Sequence, residues 1–134
     1  IIVTAGGKNV APAPLEDAIR AHPLVSQALV VGDDKPFVAA LITLDPEALE
    51  PWKQAHGRAE ATLAELATDP AILAEVQTAV DNANRLVSQA ERIKKFAVLP
   101  VELSEATGHV TPKQSIKRHI VVRDFAKEIE ALYS

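Results

Sequence analysis

Cysteine is absent from all 134 residues, so the chain has neither a disulfide framework nor a thiolate metal site, and an intracellular setting is compatible with it. No apolar run approaches the ~20 residues that a membrane span needs, and no signal-peptide pattern opens the sequence. A basic surplus is missing as well. The net charge is −4, whereas a general nucleic-acid binder carries excess lysine and arginine. His22, His56, His109 and His119 show no ligand-like spacing, which argues against a metal site. The chain opens on Ile1-Ile2-Val3, a buried-strand pattern without an initiator methionine, and so reads as the C-terminal piece of a longer protein. The residues that are present are ordinary for a globular domain, 48% apolar and 24% charged. One domain of this length buries about two-thirds of its unfolded surface.

Hydrophobic periodicity divides the chain. Residues 1–3 read as a short strand ending in the tight loop Thr4-Ala5-Gly6-Gly7-Lys8-Asn9. A helix over residues 14–21 follows, with prolines in its first turn and Leu15, Ala18 and Ile19 facing inward. Glu16 and Asp17 suit the positive end of its dipole. Residues 27–31 and 37–44 flank Gly32-Asp33-Asp34-Lys35-Pro36 and predict an antiparallel hairpin. The unbroken apolar run at 37–42 predicts a central strand covered on both faces.

Asp45-Pro46 starts a helix that stops near Gly57, a weaker helix covers residues 58–67, and Asp69-Pro70 starts a long one reaching about residue 90. Its inward stripe is Leu73, Val76, Val80, Ala83, Val87 and Ala90. Residues 96–99 read as a third strand. A final helix is expected from Lys113, broken near Arg123-Asp124. The expected fold is α+β: a small three-stranded, mostly antiparallel sheet with helices packed over it, plus an inserted helical segment.

Two segments could carry chemistry. The Gly6-Gly7 pair can expose backbone amides to a thin ligand or a phosphate, or it can simply serve a turn that needs positive φ. The GxxxxGK[ST] spacing of a phosphate-binding loop is absent. Residues 111–118 place Lys113, Lys117 and Arg118 close together, which suits a phosphate or nucleotide, or a solvated helix face. Arg92, Lys94 and Lys95 carry the same ambiguity: an anion patch shared with Arg118, or charges that keep a strand edge soluble. Ser115 and His119 lie four apart, but no orienting acid makes them a hydrolytic dyad.

In order along the chain, these pieces resemble the C-terminal domain of the adenylate-forming superfamily, in its long-chain acyl-CoA synthetase (fatty-acid–CoA ligase) branch. Residues 1–12 resemble the strand and loop after the interdomain hinge, and 15–19 resemble the "PxxIE" helix. Residues 28–42 are similar to the "AVVIGDxRPYLxALI" hairpin, 91–96 to "YERIKRF" and 108–118 to "LTPTLKLKR". The helical segment at 45–90 also fits the long-chain branch.

The resemblance implies that residues 1–134 are a single lid domain beside a large N-terminal AMP-binding domain. That larger domain would bind ATP, Mg²⁺ and a fatty acid and form an acyl-adenylate. The lid would then rotate so that CoA attacks the adenylate. On this resemblance Gly6, Gly7 and Lys8 line the CoA path, with Arg92 and Lys94 as further CoA-binding residues. Lys113, with Lys117 in reserve, serves adenylation. The partners implied are the N-terminal domain, CoA and the acyl-adenylate, with no nucleic acid and no membrane span. The setting implied is the cytoplasm, with the full-length enzyme able to sit at the membrane periphery. One departure stands out. An ungapped fit sets Ser115 where the family carries its adenylation lysine, so the lysine has shifted, adenylation is slow, or the domain is a non-catalytic regulatory homologue.

Overall fold

The computed structural model describes residues 1–134, folded as an α+β arrangement of five strands, six helices and one 3-10 turn. Strands β1 (Ile2–Val3) and β2 (Asn9–Val10) pair antiparallel, with Ile2 opposite Val10. Between β2 and the main sheet lies helix α1 (Pro12–Arg20). The larger sheet consists of β3 (Val25–Val31), β4 (Val38–Leu44) and β5 (Ile93–Val98), in the order β3-β4-β5. The first two form an antiparallel hairpin and the last two run parallel, so antiparallel pairing dominates the molecule. A parallel neighbour cannot be reached through a tight turn. The inserted helical segment supplies the crossover: α2 (Pro46–Ala55), α3 (Leu63–Leu66), α4 (Pro70–Asn84) and the 3-10 turn Gln89–Glu91. The chain ends in α5 (Arg118–Asp124) and α6 (Ala126–Leu132).

Every residue of β4 is buried. Its alternation explains this. Val38, Ala40, Ile42 and Leu44 pack with Leu15 and Ile19 of α1 and Val76 and Val80 of α4. Ala39 and Leu41 face the other way, onto Val121, Ile129 and Leu132 of α5 and α6. Burying each large aliphatic side chain contributes about 1.5–3 kcal/mol. The two-sided cover expected from the apolar run is therefore present.

Several expected boundaries move, each for a local reason. Helix α1 starts at Pro12, so Glu16 lies beyond its first turn and is buried for another purpose described below. The helix expected over 58–67 shrinks to α3. Gly57 turns left-handed at φ 69°, Arg58 folds onto Asp69, and Thr62 and Glu65 form a capping box that starts the helix late. Helix α4 stops at Asn84 rather than near 90, because the Asn84 amide bonds both backbone groups of Ile93, at 2.8 and 2.9 Å, and turns the chain into β5. That strand consequently begins at Ile93 rather than 96. Ala90 is exposed and Leu73 half-buried, while Ile72 and Ala79 complete the inward stripe. The last helix begins at Arg118, not Lys113, since Val110 pairs with Ile116 and residues 111–115 form a turn. The break expected near Arg123-Asp124 falls at Phe125, where α5 meets α6.

Candidate functional site

Two turns carry most of the singled-out residues. In the first, Thr4 N–H donates to the Lys8 carbonyl (3.0 Å), Gly7 N–H to the Thr4 carbonyl (2.9 Å), and Lys8 N–H to Thr4 Oγ1 (3.1 Å). This is the pattern of a three-residue hairpin loop whose third member is left-handed, and Gly7 has φ 85°. A Cβ added at Gly6 or Gly7 would meet nothing within 4 Å. The two glycines therefore present bare backbone to open space. Ala5 N–H donates to the Lys35 carbonyl (2.9 Å) and Val3 N–H to Asp33 Oδ1 (2.9 Å), so the β3–β4 turn anchors this loop.

Lys8 reaches Glu91 at 3.9 Å. That ion pair brings the glycine loop beside the start of the segment 91–94. Arg92 bonds Gln89 Oε1 (3.1 Å), and its Nε is buried without a partner. Lys94 is exposed and makes no ion pair, whereas Lys95 lies over the Phe37 ring at 5.7 Å.

Residues 111–115 repeat the first turn. Thr111 N–H donates to the Ser115 carbonyl (2.8 Å), Gln114 N–H to the Thr111 carbonyl (2.8 Å), and Ser115 N–H to Thr111 Oγ1 (3.1 Å). Here the left-handed position is held by Gln114, φ 68°. Lys113 sits in the middle of the loop, exposed and without an ion pair. Ser115 lies on the returning side, at the rim of a polar cleft of about 420 Å³ shared with Arg20, Gln27, Gln114 and Arg118. Lys117 is half-buried, and its N–H donates to the His109 carbonyl (2.8 Å). No hydrogen bond or ion pair joins this hairpin to the glycine loop, so the structure divides the predicted site residues into two groups.

Sequence reasoning missed what holds the second turn. Glu16 is only 5% exposed. One of its oxygens accepts the Val30 N–H (2.8 Å) and the other pairs with the Arg118 guanidinium, which also contacts the Val30 carbonyl (3.5 Å). The pair thus satisfies the outer edge of β3 as a neighbouring strand would, and ties the start of α5 to α1. His109 is 8% exposed and contacts Asp124 Oδ2 at 2.8 Å. Arg123 first, and His109 second, hold the Asp124 carboxyl below its ordinary range. Tyr133 donates to the Phe37 carbonyl (3.0 Å), and burial pushes its phenol up to about 12. The threonine that opens each turn was a readable signal, but pairs such as Glu16 and Arg118, 102 positions apart, leave no local mark. No three His, Asp or Glu side chains converge as metal ligands would, and no helix is long and apolar enough to cross a membrane.

The sequence profile described as AMP-binding enzyme C-terminal domain matches residues 1–134. The chain belongs to that family. This C-terminal domain is 59% identical, over all of its length, to the long-chain-fatty-acid–CoA ligase FadD15 of Mycobacterium tuberculosis, of which it covers 22%. It is 35% identical over its full length to the long-chain-fatty-acid–CoA ligase ACSBG2 of Gallus gallus, covering 20% of that protein. The domain therefore spans about a fifth of these curated relatives. Among solved structures it is similar to the adenylation domain of a carboxylate reductase from Mycobacterium chelonae, at 25% identity and a TM-score of 0.69, covering 98% of this chain and 19% of that one.

Proposed function

We propose that this domain is the lid of an ATP-dependent long-chain fatty-acid–CoA ligase, closing over the active site for adenylation and rotating for thioester formation. The observation that carries the reading is the end-to-end identity of 59% to a protein named as such a ligase. In the overall reaction a fatty acid and ATP give acyl-adenylate and pyrophosphate, and CoA then displaces AMP. ATP, its Mg²⁺ and the fatty acid would be held chiefly by the AMP-binding domain outside these residues, in a cytoplasmic enzyme able to sit at the membrane periphery.

The two turns serve the two half-reactions. Gly6 and Gly7 offer open backbone to the pantetheine arm, with Lys8, Arg92 and Lys94 as cations for its phosphates. Lys113, exposed at the hairpin tip and unpaired, is the group best able to enter the active site and meet charge developing between carboxylate and α-phosphate. Preorganised charge of this kind is worth several kcal/mol in a closed site. Ser115 cannot supply it. Lys117, its backbone tied to His109, is the reserve.

The test is ATP–pyrophosphate exchange with palmitate, on the full-length protein. Lys113→Ala should slow exchange by about 10²–10³-fold, and Lys117→Ala should change it little. Absence of fatty-acid-dependent exchange in the wild type would overturn the ligase reading. The exposed Ser115 at the family's lysine position favours a second reading, a non-catalytic regulatory or interaction domain. A large gain in exchange on Ser115→Lys would support that one. Residues 1–134 alone should form no acyl-CoA; product from this fragment would refute the assignment of ATP to the missing domain.

A further inference from the structure

We infer that His109 and Asp124 are a positioning pair that sets the Lys113 hairpin on the last two helices; this rests on the reading of Lys113 given above. The hairpin touches the body of the domain at its two roots. At the C-terminal root, Arg118 reaches Glu16. At the N-terminal root, His109 both accepts the Lys117 N–H on its carbonyl (2.8 Å) and buries its ring.

That ring makes the one side-chain hydrogen bond between residues 109–117 and α5–α6, from Nε2 to Asp124 Oδ2 at 2.8 Å. A carboxylate only accepts, so Nε2 carries the proton in this contact. The other ring nitrogen lies 2.7 Å from Thr107 Oγ1. Thr107 is itself fixed by accepting the Ser104 N–H (3.0 Å), and its one hydroxyl proton is shared between the imidazole Nδ1 and the Ser104 carbonyl (3.0 Å). The ring also tilts against Phe125, centroids 5.5 Å apart, at the break between α5 and α6. Asp124 is held in turn by Arg123 Nε on its second oxygen, at 3.0 Å. The imidazole is therefore oriented from both sides, in a segment whose tip is otherwise exposed. A long tip side chain swings widely for a small rotation at its root, so fixing the root fixes where the ammonium arrives.

The glycine loop shares none of these contacts. Removing the pair should therefore affect adenylation and leave thioester formation intact, a separation that general loss of structure does not produce. The experiment uses the full-length protein and two assays: ATP–pyrophosphate exchange with palmitate, and acyl-CoA formation from preformed palmitoyl-adenylate and CoA. His109→Ala and Asp124→Ala should each slow exchange by about ten- to a hundredfold. The double variant should lose no more than either single one. Asp124→Asn, which keeps an acceptor for Nε2, should retain most of the exchange rate. Acyl-CoA formation should stay within about twofold in all of them, given the separate anchoring of the glycine loop. Parallel loss of both assays, or additive losses in the double variant, overturns the proposal. Exchange lost in Lys113→Ala but unchanged in His109→Ala overturns the positioning role alone. Exchange unchanged in Lys113→Ala overturns the assignment of the lysine, and the positioning role with it.

Discussion

Residues 4–8 and residues 111–115 are closed by the same three hydrogen bonds, each with a threonine hydroxyl accepting the backbone N–H four positions later. They differ in the residue that turns left-handed and in what anchors them. Gly7 adopts φ 85° without steric penalty, while Gln114 holds φ 68° against one. The glycine loop is pinned by backbone bonds and by exposed Asp33. The hairpin is pinned by buried Glu16 and His109, acting through side chains. One turn therefore presents bare backbone to open space. The other presents a lysine tip whose placement depends on side chains elsewhere in the fold.

Breaking the anchors should give the largest contrast. Glu16→Ala leaves a buried Val30 N–H without its acceptor and should cost about 2–3 kcal/mol in denaturant unfolding. Asp33→Ala, at the exposed anchor of the glycine loop, should cost under about 1 kcal/mol by the same measurement. Equal losses would mean that the two turns are not held differently.

Exchanging the left-handed residues comes next. Gly7→Gln should destabilise by about 1–2 kcal/mol, since a side chain is strained at that φ even where space is open. Gln114→Gly should instead raise stability by about 0.5 kcal/mol, relief of strain being partly offset by a more flexible unfolded chain. A loss in the second variant would show that the Gln114 side chain makes a contribution larger than its strain.

The smallest effects concern pH, and they too fall on the hairpin side. Asp124 has a folded pKa below its unfolded value, so its contribution is present above the ordinary aspartate pKa of about 3.9 and is lost as pH falls through the folded value. Tyr133 has the opposite sign. Its contribution is full below about 10 and is lost as pH rises toward the folded value of about 12. Stability measured against pH should decline at both ends, and Tyr133→Phe should flatten the alkaline limb. An unchanged alkaline limb in that variant would remove Tyr133 as its source.

Much of the layout was legible locally. Asp45-Pro46 and Asp69-Pro70 start helices where a capping carboxylate and a proline coincide, and the apolar run of β4 signals cover on both faces. The Gly6-Gly7 turn was legible for the same reason. The hairpin was not. Ile116 and Ile120 have helical spacing, which outweighs the one local sign of the turn, Thr111, and hides the pairing of Val110 with Ile116. The early stop of α4 was equally hidden, because it depends on Asn84 meeting the backbone of Ile93.

Sequence alone determined the helix starts, the central strand, the glycine turn and the order of motifs that places the chain in its family. These rest on neighbours within a few positions, where caps, prolines and periodicity act. Tertiary structure alone decided that Lys113 stands at a hairpin tip, that Glu16 is buried against Arg118, and that His109 is locked to Asp124. Those outcomes depend on contacts between segments up to 102 residues apart. Their free energy comes from desolvating polar groups together, and it exists only once the sheet has brought the helices to its two faces.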